Sequence, residues 1–147
     1  MYKINLKKTH RLLYRVYMIK ALSAVFVGLG ILVAPAAVFG SIAYSTITAI
    51  VPPFWWGTLW LLFGTAIIFG LQSSRYRIAR LGLAGLIVLY MTLTAGLFTS
   101  QLLPESSGSY MFAVGTYAGL AITTFAILLE PPINPETAIG IKKKADK

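Results

Sequence analysis

Residues 54–71 read FWWGTLWLLFGTAIIFGL and contain no charged side chain. They belong to a longer uncharged stretch, 21–74. The apolar core of a bilayer is crossed by about 20 helical residues, so this stretch has room for two transmembrane helices. Pro52 and Pro53 interrupt any helix between the two. The aromatic residues directly behind them, Phe54 to Trp56, are typical of the point where a span enters from the membrane interface.

Two further uncharged stretches, 81–104 and 106–129, have room for one span each. The sequence therefore predicts an all-α integral membrane protein, a single polytopic domain over 1–147. We expect a bundle of four transmembrane helices at about 14–39, 54–71, 81–103 and 110–129. Only 12% of the residues are charged and there is no cysteine. This composition excludes a water-soluble fold, a disordered chain and a disulfide scaffold.

The charges indicate the topology. Thirteen Lys and Arg residues outweigh four Asp and Glu, giving a net charge of +9. No basic residue occurs in the predicted loops 40–53 and 104–109, which contain one acid, Glu105. Because Lys and Arg near span ends stay on the cytoplasmic side, we expect both termini to be cytoplasmic. The prediction is a multi-pass protein of the bacterial inner membrane with a basic leader, 1–13, and a tail, 131–147.

The basic residues also predict the partners on this face. Juxtamembrane Lys and Arg attract anionic headgroups at about 1 kcal/mol each, whereas nucleic acid binding calls for a recognition helix or an aromatic-lined groove. We therefore expect anionic lipids and no nucleic acid. The predicted headgroup contacts are Lys7, Lys8, Arg11, Arg15, Lys20, Arg75, Arg77, Arg80, Lys142, Lys143 and Lys144.

Targeting segments offer two competing interpretations of the N-terminal region. Residues 1–20 resemble the basic region of a signal peptide and 21–33 its apolar region, with a cleavage site at Ala34 to Ala36. Against cleavage, the basic region is long and apolar residues continue past the site. A mitochondrial presequence is disfavoured because the leader is Lys-rich and poor in Ser. The preferred interpretation is a first span that begins after Arg11 or at Ala21 and is kinked by Pro35.

Residues 41–51 are less ordinary than the rest of the chain. Their apolar residues recur at helical spacing with Ser, Thr and Tyr on the other side, which predicts a short helix in the outer interface. The alternative, which we prefer, is the last turns of a long, tilted first span.

The uncharged stretches 21–74, 81–104 and 106–129 contain no Asp, Glu, His, Lys or Arg, although proton relay, metal binding and acid or base catalysis all need an ionisable side chain. The single histidine, His10, lies in the leader, and Glu130 lies at the end of the fourth span. No nucleophile elbow, zinc motif or phosphate-binding loop is present. The sequence therefore predicts a protein that is not an enzyme and has no cofactor or metal.

Small residues recur along every predicted span. Gly115 and Gly119 form a G-x-x-x-G motif that Thr123 extends, the signature of close helix packing in membranes. The other predicted packing positions are Ala24, Gly28, Gly57, Gly64, Gly85, Thr92 and Gly96. Such a motif serves packing inside one chain or between chains, and we prefer the internal use.

Neutral hydroxyl residues also occur within the spans, among them Thr92, Thr99 and Thr123. They could line a narrow pore. Hydroxyls in membrane helices more often bond to the backbone of their own or a neighbouring helix, which is the preferred interpretation.

These observations favour a non-enzymatic assembly, anchoring or accessory subunit that is part of a homo-oligomer or larger membrane complex. The small size, the glycine-rich spans and the basic tail also resemble phage holins, a resemblance of architecture without a diagnostic motif. That resemblance implies a membrane-permeabilising protein. A third hypothesis is a passive channel or transporter for a neutral solute.

Overall fold

The computed structural model describes residues 6–39, 44–101 and 111–130, and six helices account for nearly all of them. They are α1 (Leu6–Val33), α2 (Pro35–Phe39), α3 (Ser45–Ile50), α4 (Pro53–Gln72), α5 (Tyr76–Gln101) and α6 (Met111–Leu129).

Four of these helices are long and apolar enough to span a membrane. The candidate spans are Arg11–Val33, Pro53–Gln72, Tyr76–Ser100 and Met111–Leu129. The prediction of an all-α chain with four helices able to span a membrane is confirmed for the described residues. The second and fourth spans agree with the predicted bounds to within a residue, whereas α5 begins five residues before the predicted 81.

The first span differs from its prediction at both ends. The helix α1 already begins at Leu6, because basic residues are compatible with a helix at its solvated end. It ends at Val33, and Pro35 begins the separate helix α2 instead of kinking a continuous one. Proline at a first helical position loses no hydrogen bond, since that amide has no partner within the helix.

A short helix is present where the sequence indicated one, although residues 40–43 lie outside the described part. It is α3, and its Ile47 is only 3% exposed because it packs against Gly96 of α5. The preferred alternative, a first span that continues through this segment, is wrong since α1 ends at Val33.

The long helices pack in chain order, α1 on α4, α4 on α5, and α5 on α6. Neighbours are antiparallel: Gly28 faces Gly57, and Gly64 lies against Ala21 and Val25. The helices α4 and α5 therefore have a neighbour on either side, whereas α1 and α6 are the ends of the row and leave a cleft between them.

A three-residue turn joins α4 to α5, and we call this end of the bundle the turn end. It includes Ser74, whose φ of 55° is in the left-handed region. Ser73 donates its hydroxyl to the Phe69 carbonyl at 2.6 Å, which helps to end α4. The exposed side chains of Arg11, Arg15, Arg75 and Arg77 belong to this end, and the exposed aromatic rings of Phe54 and Trp55 lie at the other.

Candidate functional site: a lysine in the cleft between the first and last long helices

Lys20 lies well inside the first candidate span. At 1.5 Å per helical residue it is about 14 Å from Arg11 and about 20 Å from Val33. Its neighbour Ala21 is completely buried and lies against Gly64, near the middle of α4. The Lys20 backbone is therefore close to half-way along the bundle.

The Lys20 side chain reaches across the cleft to α5 and α6. Its Nζ donates a hydrogen bond of 3.3 Å to Oγ1 of Thr123 on α6. The same atom lies 5.8 Å from the centre of the Tyr90 ring on α5, within the range of a cation–π interaction. One ammonium group thus connects three of the four long helices.

This position bears on two predictions from the sequence. Lys20 was predicted among the lipid-headgroup contacts, and a first span that begins at Ala21 would leave it outside the membrane. The structure places Lys20 nine residues inside the candidate span. The residues between Arg15 and Lys20, VYMI, are all apolar or aromatic, which indicates that the span could begin before Lys20.

Lys20 has no carboxylate partner among the residues that the structure describes. Of the four acidic residues in the chain, Glu130 alone falls within the described ranges. It follows Thr123 by seven residues, about 10 Å farther along the axis of α6. The charge of Lys20 is therefore balanced by a hydroxyl and an aromatic ring, and by no anion in this part of the chain.

The cleft next to Lys20 contains a partly open cavity of about 370 Å³. Its walls come from α1, α2, α4, α5 and α6, and apart from Lys20 they are mostly apolar or aromatic. They are formed by Ile19, Lys20, Ser23, Val27, Ile31, Phe39, Trp60, Tyr90, Leu93, Tyr117 and Leu120.

Aromatic rings form one side of this cavity. Trp60 and Tyr90 make an edge-to-face pair with 5.1 Å between the ring centres. Tyr90 is followed by Tyr117 at 6.5 Å, and the hydroxyl of Tyr117 is 3.5 Å from that of Tyr44. Edge-to-face geometry is favourable for aromatic pairs, so the Trp60–Tyr90 pair stabilises the contact between α4 and α5.

Two tryptophans of α4 have an unsatisfied polar atom. The indole N–H groups of Trp56 and Trp60 are buried and have no hydrogen-bond acceptor among the described residues. Buried donors without an acceptor are uncommon and costly. The ring of Trp60 lines the cavity beside Lys20, whereas Trp56 lines a second, apolar groove of about 260 Å³.

The predicted small-residue positions separate into two groups. The glycines on α1, α4 and α5 lie at helix contacts: Gly28 with Gly57, Gly64 with Ala21, Gly85 with the Phe63 ring, and Gly96 with Ile47, while Ala24 is fully buried and Thr92 is exposed. Two further contact glycines were missed, Gly70 against Ala79 and Gly82 against Phe63 and Ile67. A single glycine in the sequence does not indicate a helix contact, because the contact also depends on where the partner helix lies.

The motif on α6 is not used in the same way. A side chain at Gly115 or Gly119 would meet no described atom within 4 Å. The preferred prediction, that this motif packs inside the chain, therefore has no support among the described residues. The reason is the place of α6 at the end of the row, where only one side of the helix has a neighbour.

The hydroxyls considered for a pore bond to their own helices. Thr92 donates to the Val88 carbonyl at 2.8 Å, Thr99 to Gly96 at 2.9 Å and Thr123 to Leu120 at 3.1 Å. Thr92 and Thr99 line the groove beside Trp56, whereas Thr123 lies across the bundle at the Lys20 cleft. The structure does not bring the three together along one path.

The remaining basic residues of the predicted headgroup set have different positions. Arg80 donates a hydrogen bond of 2.8 Å to the Leu128 carbonyl and so ties α5 to the last turn of α6. Lys7 and Lys8 fall within α1, and the tail residues Lys142 to Lys144 lie outside the described residues. Within the described ranges, no three His, Cys, Asp or Glu side chains come together as a metal site would require.

Comparison with known proteins adds no relative. No protein-family model, curated protein or solved structure matches this chain. Functional inference therefore depends on the chemistry of the Lys20 cleft and on the open side of α6.

Proposed function

We propose that this protein is a non-enzymatic accessory subunit of a membrane complex, and that α6 is the helix by which it docks. The observation that carries the proposal is the open space at Gly115 and Gly119. A G-x-x-x-G motif lets two helix backbones approach closely, and here no helix in the described part of the chain does so.

The burial of α6 supports the same conclusion. In its most apolar stretch 11% of the residues are buried, compared with 44% in α5. Its exposed side includes Phe112, which is 86% exposed, and Ile122, which is 68% exposed. Large side chains on either side of a glycine pair form a groove that fits the ridge of another transmembrane helix. The partner is thus a membrane helix of another subunit, either a second copy or a different protein.

The orientation that we propose has both termini in the cytoplasm of a cell such as a bacterium. It is supported by the basic side chains at the turn end and by the exposed aromatic rings at the opposite end. In this orientation the turn end faces anionic lipids.

The test is a pair of leucine substitutions, Gly115→Leu with Gly119→Leu, followed by native mass measurement after mild detergent extraction. Leucine favours helix formation, and a Cβ at either position would meet no described atom within 4 Å, so the fold is expected to persist. The wild-type protein is expected in a complex, and the double variant as a free subunit.

The matched control is Gly30→Leu on α1, where a side chain would likewise meet open space. This variant is expected to stay in the complex. A wild-type protein that runs as a lone monomer, or a double variant that remains assembled, would contradict the proposal.

Two alternatives from the sequence stay predictions. A passive channel for a neutral solute is less favoured because Thr92, Thr99 and Thr123 lie on different sides of the bundle. A holin-like protein is expected to cause an abrupt loss of membrane potential on induced expression. Unaffected growth and potential at high expression would count against it.

A further inference from the structure

We propose that the cleft between α1 and α6 binds an amphipathic monocarboxylate, a molecule with one carboxylate group on an apolar body of about ten carbon atoms. The carboxylate pairs with the Lys20 ammonium, and the apolar body fills the cavity beyond it. The α6 residues that line this cavity are Tyr117 and Leu120, which differ from the glycine pair that we propose for docking.

The charge at Lys20 is the first argument. A charged side chain near the middle of a membrane is costly and usually pairs with an opposite charge. The described residues supply Thr123 and the Tyr90 ring, neither of which carries a negative charge. An anion from outside the chain would complete the pairing.

The walls of the cavity supply the second argument. Apart from Lys20 they are mostly apolar or aromatic, among them Val27, Ile31 and Leu93. The cavity therefore suits a ligand with one charged group and an apolar body, and the ammonium is the group that fixes the position of its head.

The shape of the cavity indicates the apolar body. From Lys20 the cavity continues along α1 past Val27 and Ile31 to Phe39 of α2, with Leu93 on the opposite wall. At about 30 Å³ per water-sized atom, its 370 Å³ accommodates about twelve non-hydrogen atoms. This is the size of decanoate and is much too small for a partner helix.

The single lysine favours a carboxylate over a phosphate group. One ammonium group balances one negative charge, whereas a phosphate monoester carries between about 1.5 and 2 negative charges at neutral pH. Phosphate sites also commonly use the bidentate geometry of arginine, and no arginine lines this cavity.

The test is native mass spectrometry of the full chain with decanoate, with decan-1-ol as the uncharged ligand of the same length. The wild-type protein is expected to bind one decanoate per chain and to bind decan-1-ol at least tenfold more weakly. Lys20→Met is expected to weaken decanoate binding at least tenfold, since it keeps the apolar stem and removes the charge. Lys20→Arg is expected to retain binding.

Arg77→Met is the control for a general loss of positive charge, because Arg77 is exposed at the turn end. It is expected to bind decanoate as the wild type does. Equal binding by the wild type and Lys20→Met, equal binding of decanoate and decan-1-ol, or no binding to the wild type would each overturn the proposal. The same spectra report the assembly state, so a failure of this proposal is separate from a failure of docking through α6.

Discussion

Two glycines of α1, two residues apart, have opposite environments. A side chain at Gly28 would lie 2.8 Å from the Gly57 carbonyl oxygen and 2.9 Å from the Leu61 amide nitrogen, which are backbone atoms that cannot rotate away. A side chain at Gly30 would meet nothing within 4 Å. The close approach of α1 and α4 therefore depends on Gly28 and not on the glycine content of the helix.

The first prediction compares alanine at these two positions. Gly28→Ala is expected to lower the free energy of unfolding by about 1–3 kcal/mol, as overpacking does in a dense core. Gly30→Ala is expected to raise it by up to about 1 kcal/mol through helix propensity. Unfolding in mixed micelles with increasing SDS measures both, and the two variants control for each other. Equal effects would show that α1 and α4 are not in contact at Gly28.

At the scale of elements, the position of the short helix α3 depends on one contact with α5. The Ile47 side chain occupies the space that any side chain at position 96 would need. Because residue 96 is glycine, α3 can pack against α5 at this point. The pair also forms part of the wall of the apolar groove beside Trp56. A periodic pattern of apolar residues predicts such a helix but contains no information about the place where it packs.

The second prediction is that Gly96→Leu displaces α3, because its side chain would occupy the space of Ile47. The chain has no native cysteine, so spin labels can be attached to Ala49→Cys on α3 and Leu62→Cys on α4. Their distance distribution is expected to be narrow in the otherwise unchanged protein and to broaden with Gly96→Leu.

The control for this measurement is Gly30→Leu, which adds the same side chain where it meets no atom. It is expected to leave the distance distribution narrow. A narrow, unshifted distribution with Gly96→Leu would mean that α3 is held in place by other contacts.

At the scale of the whole molecule, the antiparallel row of helices places the described arginines at one end. Arg11 and Arg15 lie in the N-terminal half of α1, and Arg75, Arg77 and Arg80 lie in or just after the turn between α4 and α5. The other end has the aromatic residues Phe54 and Trp55 and the short helices α2 and α3. This asymmetry is the basis of the third prediction, which concerns the orientation of the protein in the membrane.

We expect the turn end to face the cytoplasm, since positively charged loops are retained there. Ala49→Cys, at the opposite end, is expected to react with a membrane-impermeant maleimide in intact cells. Gln72→Cys, at the turn end, is expected to react only after the membrane is permeabilised. The reverse pattern would contradict the orientation.

The sequence by itself determined the number of spans and most of their bounds. Long uncharged stretches are not compatible with a soluble fold, and a helix satisfies all backbone hydrogen bonds within one segment in lipid. The predicted spans 54–71 and 110–129 therefore agree closely with α4 and α6. It also marked most of the glycines at helix contacts, such as Gly28 and Gly57, because small residues are required wherever backbones approach.

The tertiary structure alone decided which helices are neighbours, and this adds to the interpretation of two features. Gly115 and Gly119 have the same motif whether or not a helix faces them, and only the place of α6 at the end of the row leaves them open. Lys20 resembles one more basic residue of a leader until α5 and α6 bring Tyr90 and Thr123 beside its ammonium. The physical reason is that hydrophobicity is a property of single segments, whereas a cleft and the charge inside it depend on contacts between segments far apart in the chain.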